Sequence, residues 1–356
     1  MTPRPFNLIA ELSYRCPLRC PYCSNPVNHA DTREALDAAD WGRTLREASD
    51  LGVVHVGLTG GEPSVRTDLE QIVAAAAEAR LFTHLVTAGV PLQPDRLARL
   101  AEAGLRSVQL SLQDSLPAES DRIAGTACFE QKLAIARATR ALGLPLVLNV
   151  VLHRHNLGRV REVINLARDL DVERLELANT QYHGWALENR AALIPSREQL
   201  DAAARIVQEE RSKPGPEILY VLPDYFGDRP KPCMGGWGNK NIVVAPDGLV
   251  LPCQAAASLP GLEFWRVGEH DLAACWNDAP GMNAYRGEAW MSEPCRSCEH
   301  RSQDFGGCRC QAFHLTGDAS ATDPACPLSP QHPRVVDARA ERDLDPPFRY
   351  RGAGRS

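Results

Sequence analysis

No stretch of about 18 uninterrupted apolar residues, the length a bilayer-spanning helix needs, occurs in this 356-residue chain. Residues Met1 to Arg15 lack the succession of basic region, apolar run and small-residue cleavage site that marks a secretory signal. Positive charge is not in excess either. Thirty-nine Lys and Arg stand against 45 Asp and Glu, a net charge of −6, so neither a nucleic-acid-binding nor a membrane-binding surface is expected. No internal repeat of fixed period is found. These absences leave a soluble cytoplasmic protein, and 44% hydrophobic and 24% charged residues suit a globular one. The length allows a barrel-sized domain and a smaller companion. Cysteine, by contrast, is plentiful. Twelve of them in a reducing compartment argue for metal binding over disulfides.

The most informative run is Tyr14-Arg-Cys-Pro-Leu-Arg-Cys-Pro-Tyr-Cys-Ser-Asn25. It sets Cys16, Cys20 and Cys23 in a C-x3-C-x2-C frame. Three thiolates so close can hold one corner of a cubic iron–sulfur cluster and leave its fourth iron open to a small molecule. Zinc and a redox dithiol are the alternatives. Zinc, however, usually takes four protein ligands, with one C-x2-C pair matched by another.

From Phe6 to about Tyr182, short apolar runs alternate with longer amphipathic stretches. Strands are expected at Phe6–Leu12, Val53–Leu58, Phe82–Val86, Ser107–Leu112, Pro145–Leu152 and Arg174–Ala178. Helical patterns lie between them, at Trp41–Asp50, Asp68–Ala79, Asp95–Ala103, Glu130–Leu142 and Val160–Leu170. This alternation predicts an α/β fold with a parallel sheet, a partial (β/α)6 TIM-like barrel over residues 1–183. Its active site should lie at the carboxyl ends of the strands, the face on which the cysteine triplet falls. Residues 184–232 read as a connector with a helix at Ser196–Arg211. Residues 233–326 read as a cysteine-rich C-terminal domain with little apolar core, of the kind that metal holds together. Residues 327–356 read as a poorly ordered polar tail.

After the second strand comes Thr59-Gly60-Gly61-Glu62-Pro63. Paired glycines let backbone approach a ligand closely, and the glutamate could grip an ammonium group. Alone, such a segment is often just a turn. Together with the cysteine triplet and the βα series, it resembles the radical S-adenosylmethionine (SAM) superfamily. The resemblance implies a [4Fe–4S] cluster held by Cys16, Cys20 and Cys23, whose open iron chelates SAM. Tyr22 would sit near the adenine, and Gly60, Gly61, Glu62 and Pro63 would meet the methionine amino group. Thr87, Ser111 and Asn149, at later strand ends, match further SAM contacts. The cofactor supplies a 5′-deoxyadenosyl radical, and the protein positions the substrate.

Cys233, Cys253, Cys295, Cys298, Cys308, Cys310 and Cys326 form a second pattern, which resembles the SPASM domain and its two auxiliary iron–sulfur clusters. Asp304 stands where that spacing usually has a cysteine. A carboxylate is a harder iron ligand than a thiolate and would change the potential; the alternative is a surface acid. Local matches, among them Cys233-Met-Gly-Gly-Trp237, Pro260-Gly-Leu-Glu-Phe-Trp265 and Gly306-Gly-Cys-Arg-Cys-Gln311, resemble the PqqE family of peptide cyclases in pyrroloquinoline quinone (PQQ) biosynthesis. That resemblance assigns one cluster to Cys295, Cys298, Asp304 and Cys326. It assigns the other, a [2Fe–2S] or [4Fe–4S] centre, to Cys233, Cys253, Cys308 and Cys310. It implies an oxidoreductase that joins a glutamate γ-carbon to a tyrosine ring carbon in the precursor peptide PqqA. A peptide chaperone, PqqD, and a flavodoxin-like reductant are the implied partners. Another SPASM peptide maturase, forming a thioether or a formylglycine, is the nearest rival; a zinc or electron-transfer protein is a more distant one. Cys128 and Cys275 are expected to pack as small hydrophobes. His153 and His155 are expected to face solvent. Gln181, Tyr182 and His183 fall on the catalytic face, where substrate contact rests on placement alone.

Overall fold

The computed structural model describes residues 2–27 and 33–352. Seven parallel strands run side by side in sequence order: β1 (Asn7–Ser13), β2 (His55–Gly60), β3 (Phe82–Thr87), β4 (Ser107–Leu112), β5 (Leu146–Leu152), β6 (Arg174–Asn179) and β7 (Glu217–Val221). The helices between them are α1 (Ala38–Leu51), α2 (Leu69–Glu78), α3 (Pro94–Glu102), α4 (Pro117–Ala124), α5 (Phe129–Ala141) and α6 (Val160–Asp169). Before β7 come α7 (Gly184–Glu188), α8 (Arg190–Leu193) and α9 (Arg197–Arg211). The six expected strands and the helices between them are all present. Two strands of the cysteine-rich region extend the same sheet: β8 (Asn241–Val244) lies parallel to β1, and β9 (Val250–Leu251) antiparallel to β8.

Residue alternation explains the sheet. Leu8, Ala10 and Leu12 on β1, Leu146, Leu148 and Val150 on β5, and Leu175 and Leu177 on β6 alternate along their strands and are fully buried. The other parity brings Glu11 beside Thr59, and Ser111 beside Asn149 and then Glu176. This second face is the polar one, and it points to the chemistry. On α6, buried Val160, Val163, Ile164 and Ala167 repeat at i, i+3, i+4 and i+7, the stripe that seats a helix on a sheet. Capping boxes start α1 (Asp37 with Asp40) and α9 (Ser196 with Gln199).

Two regions differ from the sequence reading. The connector contributes β7, whose Ile218 is buried against the sheet. Residues 327–352 of the supposed tail carry a helix, Pro333–Ala340, with Val335 and Ala338 buried. Its polar composition suggested disorder, yet its charges find partners on the barrel. Arg190 pairs with Glu341, and Arg349 with Glu188. Residues 353–356 of that segment lie outside the described ones. Among the described residues, no helix is long and apolar enough to cross a membrane.

Candidate active site

The chain leaves β1 at Ser13 and enters the cysteine loop, which is fastened by backbone to the end of β2. Gly61 N–H donates to Ser13 O (2.6 Å), Glu62 N–H to Arg15 O (2.8 Å), and Asn25 Nδ2 to Gly60 O (3.2 Å). The paired glycines are needed for this approach. Gly60 has φ +126°, and a Cβ on Gly61 would lie 2.5 Å from Arg15 O. Farther along, Ala186 N–H on α7 donates to Cys23 O (3.0 Å).

Cys16, Cys20 and Cys23 line one cavity of about 160 Å³ with Tyr22, Gly60, Gly61, Thr87, Ser111 and Gln113. All are at carboxyl ends of strands or in the loops that follow, as the barrel reading requires. The thiols are free of disulfides. Burial pushes Cys20 up to about 12 and Cys16 up to about 11, so loading a metal there means displacing protons. Gln113 Nε2 donates to the Tyr22 hydroxyl oxygen (2.9 Å), and the buried Lys132 Nζ donates to Gln113 Oε1 (2.8 Å) and Ser111 O (2.9 Å). Burial lowers the Lys132 pKa, and the nearby thiols and Glu62 oppose that shift.

Glu62 and Pro63 stand behind this wall and do not line it. The Glu62 carboxylate is fully buried and accepts four hydrogen bonds: from Ser64 N–H and hydroxyl, the Thr87 hydroxyl, and Ala88 N–H. It braces two strand ends, and Thr59 to Gly61 are what face the cavity. Asn149 is also absent from the wall; its Nδ2 donates to Glu176 (3.1 Å). His153 corrects the expectation of a solvent-facing residue. It is fully buried, packed between Tyr22 and Phe348, because a distant segment covers it. Gln113 follows β4 directly, so its strand-end position was a signal. Lys132, inside a helix, gave none.

A larger cavity, about 540 Å³, begins beside this site at Ser24 and runs past Tyr14, His183 and Asp247 to Ala255 and His314. Of the trio Gln181, Tyr182 and His183, only His183 lines it. Tyr182 is buried against Tyr225, with ring centroids 4.9 Å apart. Near Tyr14, the buried Glu11 accepts from the Tyr14 hydroxyl and from Gln254 Nε2, both at 2.8 Å. Burial raises Glu11 to about 7.

Beyond that cavity, Cys233, Cys253, Cys308 and Cys310 contact one another inside a small apolar cluster with Trp237, Val243 and Leu251. Hydrogen bonds among the four lower Cys253 and Cys308 and raise Cys233 and Cys310. Cys308 also caps the helix Arg309–Thr316, accepting from Gln311 N–H, a position that favours thiolate. Cys295, Cys298, Asp304 and Cys326 line a third cavity together. Asp323, not singled out from sequence, ties the two sets together. Its carboxylate accepts from Cys308 N–H (2.7 Å), and its backbone carbonyl accepts from Cys326 N–H (2.9 Å). Cys128 and Cys275 are buried in apolar clusters, as expected. Among the described residues, no three His, Cys, Asp or Glu side chains converge on a single metal ion. A cluster does not demand that convergence, because its ligands are shared among several irons. The free thiols around a cavity walled by polar backbone fit a cluster with SAM.

The radical SAM superfamily profile matches residues 10–167. A PqqA peptide cyclase from Methylobacterium nodulans is 49% identical over 358 residues, covering 99% of this chain and 94% of its own. One from Gluconobacter oxydans is 49% identical over 96% of each chain. Among solved structures, Streptococcus suis SuiB bound to S-adenosylmethionine superposes with a TM-score of 0.76 at 20% identity, covering 91% of this chain and 77% of that one. Native anSMEcpe with bound AdoMet and Kp18Cys peptide gives 0.66 at 16% identity, over 96% and 97%. These likenesses carry the fold. Near-half identity along almost the whole length carries more: the chain belongs to the PqqA peptide cyclases, a family of radical SAM enzymes.

Proposed function

We propose that this chain cross-links the precursor peptide PqqA, joining a glutamate γ-carbon to the tyrosine ring carbon ortho to the hydroxyl. The observation that carries the reading is the convergence of Cys16, Cys20 and Cys23 with Gly60 and Gly61 on one cavity, next to a second, larger one. Reduced and bound there, a [4Fe–4S] cluster with SAM supplies a 5′-deoxyadenosyl radical able to take hydrogen from an unactivated C–H bond.

The chain's own residues hold and orient. Cys16, Cys20 and Cys23 would ligate the cluster. The backbone of Thr59 to Gly61 lines the place where an ammonium group would sit. Tyr22, fixed by Gln113, and the hydroxyls of Thr87 and Ser111 shape the remaining wall. The larger cavity, between Ser24 and His314, is where the peptide would lie. Bond formation removes two hydrogens from the peptide. One leaves as the abstracted atom, the other as a ring proton and an electron, for which an auxiliary cluster held by the C-terminal ligands would be the acceptor.

Cys233, Cys253, Cys308 and Cys310 would hold one auxiliary cluster, and Cys295, Cys298, Asp304 and Cys326 the other. Cytoplasmic location, a peptide chaperone of the PqqD kind and a flavodoxin-like reductant complete the proposal. The test is anaerobic incubation of the reconstituted protein with SAM, reductant, PqqA and PqqD. Mass spectrometry should find PqqA lighter by two hydrogens, and fragmentation should place a cross-link between Glu and Tyr. A sulfur-linked product or an unchanged peptide would reject the reading in favour of another maturase chemistry.

A further inference from the structure

Residues 348–351 return from the far end of the described chain to the cysteine loop. Asn189, buried between α7 and α8, holds the returning backbone from both sides: its Nδ2 donates to Arg349 O (2.9 Å), and its Oδ1 accepts from Arg349 N–H (2.7 Å). The same Nδ2 reaches Pro21 O (3.1 Å), inside the cysteine loop. The Tyr350 hydroxyl donates to Arg122 O (2.8 Å), and Phe348 packs on His155 with ring centroids 4.8 Å apart. Arg351 N–H donates to Arg19 O (3.2 Å), and Arg19 Nε donates to Arg351 O (3.1 Å). Finally, Arg351 Nη2 donates to two carbonyls of the loop, Cys16 O (2.7 Å) and Leu18 O (2.8 Å), and the side chain lines the cavity of the three thiols.

We propose that residues 348–351 form a strap belonging to the radical SAM site, with Arg351 as its positioning residue. Its guanidinium fixes the Cys16–Leu18 backbone and places a fixed positive charge beside the cluster's thiolates. The physical grounds are two. The cysteine loop has no regular secondary structure, so its carbonyls depend on outside donors. Both bonds come from one terminal nitrogen, Nη2, whose two N–H groups are held in the rigid guanidinium plane, whereas a lysine ammonium on its flexible stem is less pre-organised for the same pair. A cluster that gains an electron becomes more negative, and nearby charge and hydrogen bonding are among the levers on its potential.

The charge part of this inference rests on the three-cysteine loop holding a cluster; the strap part does not. Two measurements separate them. Amide hydrogen exchange on the cluster-free protein reads the loop directly. Arg351→Ala and Asn189→Ala should each speed exchange several-fold across residues 14–26 while leaving β3 to β6 protected. Redox titration of the reconstituted protein, followed by the spectroscopic signal of the SAM-binding cluster, reads the charge. Arg351→Ala should move that cluster to a more negative potential, and Arg351→Lys should restore most of the shift without restoring full exchange protection. Unchanged exchange across 14–26 in both alanine variants overturns the strap. An unmoved potential in Arg351→Ala overturns the role of the charge. Failure of wild type to bind iron at this loop would reject the cluster reading, and the exchange comparison would still decide the strap.

Discussion

The Thr87 hydroxyl donates to the Glu62 carboxylate at 2.7 Å, joining the end of β3 to the Gly-Gly-Glu-Pro segment after β2. The same Thr87 oxygen accepts from Gly89 N–H (2.9 Å). One side chain thus satisfies both a buried carboxylate and a turn, on the wall of the cavity that the three thiols line. Burial raises the Glu62 pKa, and its four donors oppose that rise. Thr87→Val keeps the shape and removes the donor. It should cost about 1–3 kcal/mol, the usual penalty for leaving a buried polar group short of a partner. Denaturant unfolding of the cluster-free protein measures the loss, and a parallel drop in SAM affinity should accompany it. Unchanged values for both would mean that water replaces the hydroxyl.

Cys20 is the most deeply placed of the three loop thiols, packed with Leu18, Ala88 and Cys128. Cys20→Ala should abolish 5′-deoxyadenosine formation under reductant. The C-terminal thiol sets are in another part of the chain and should still take up iron. Iron analysis and product chromatography on one preparation check both. Persistent 5′-deoxyadenosine would move the radical-generating cluster elsewhere.

Much of the framework was readable in residue order. Alternation located β1 to β6, the spacing of Cys16, Cys20 and Cys23 marked thiols that line one cavity, and the family resemblance, not spacing, divided the C-terminal cysteines into the two sets that the fold brings together. What escaped depends on distance along the chain. β8 joins β1 across more than half the chain, a pairing no local pattern encodes. His153 looked exposed because its cover, Phe348, is contributed by residues that local composition marks as tail. Glu62 looked free to grip a ligand because its partners at Thr87 and Ala88 lie on another strand end. Arg351 and Lys132 carried no motif; only folding brings them to the thiols.

His84 gives a pH prediction. Its Nδ1 lies 2.6 Å from Ser107 Oγ. Burial, helped by neighbouring His55, pushes its pKa from 6.5 down to about 4. The folded state therefore resists a proton that the unfolded state accepts. This contribution is intact above about pH 6.5 and is lost as pH falls toward 4. At pH 5 the loss should be on the order of 2 kcal/mol. Urea unfolding of the cluster-free protein at pH 7 and pH 5 should show it, and His84→Gln should flatten the difference. Equal acid sensitivity in that variant would assign the effect to other groups.

Asp304 offers the sharpest test of the C-terminal assignment. It shares a cavity with Cys295, Cys298 and Cys326. Its Oδ1 accepts from Gly306 N–H (2.9 Å), and the left-handed Phe305 (φ +50°) turns the chain immediately after it. If Asp304 is a ligand, Asp304→Cys should keep the cluster and shift its reduction potential, because ligand type is a main lever on that potential. Asp304→Ala should loosen the cluster or open one iron to solvent. In both variants 5′-deoxyadenosine formation should survive, since the proposed radical-generating cluster belongs to Cys16, Cys20 and Cys23, a separate set. Cross-linked peptide should fall, because the step affected comes after hydrogen abstraction, when the second electron leaves the substrate. Measuring both products in parallel with iron content separates this from general damage, which would lower them together. Unchanged cross-linking, iron content and cluster spectra in Asp304→Ala would return the residue to a surface role.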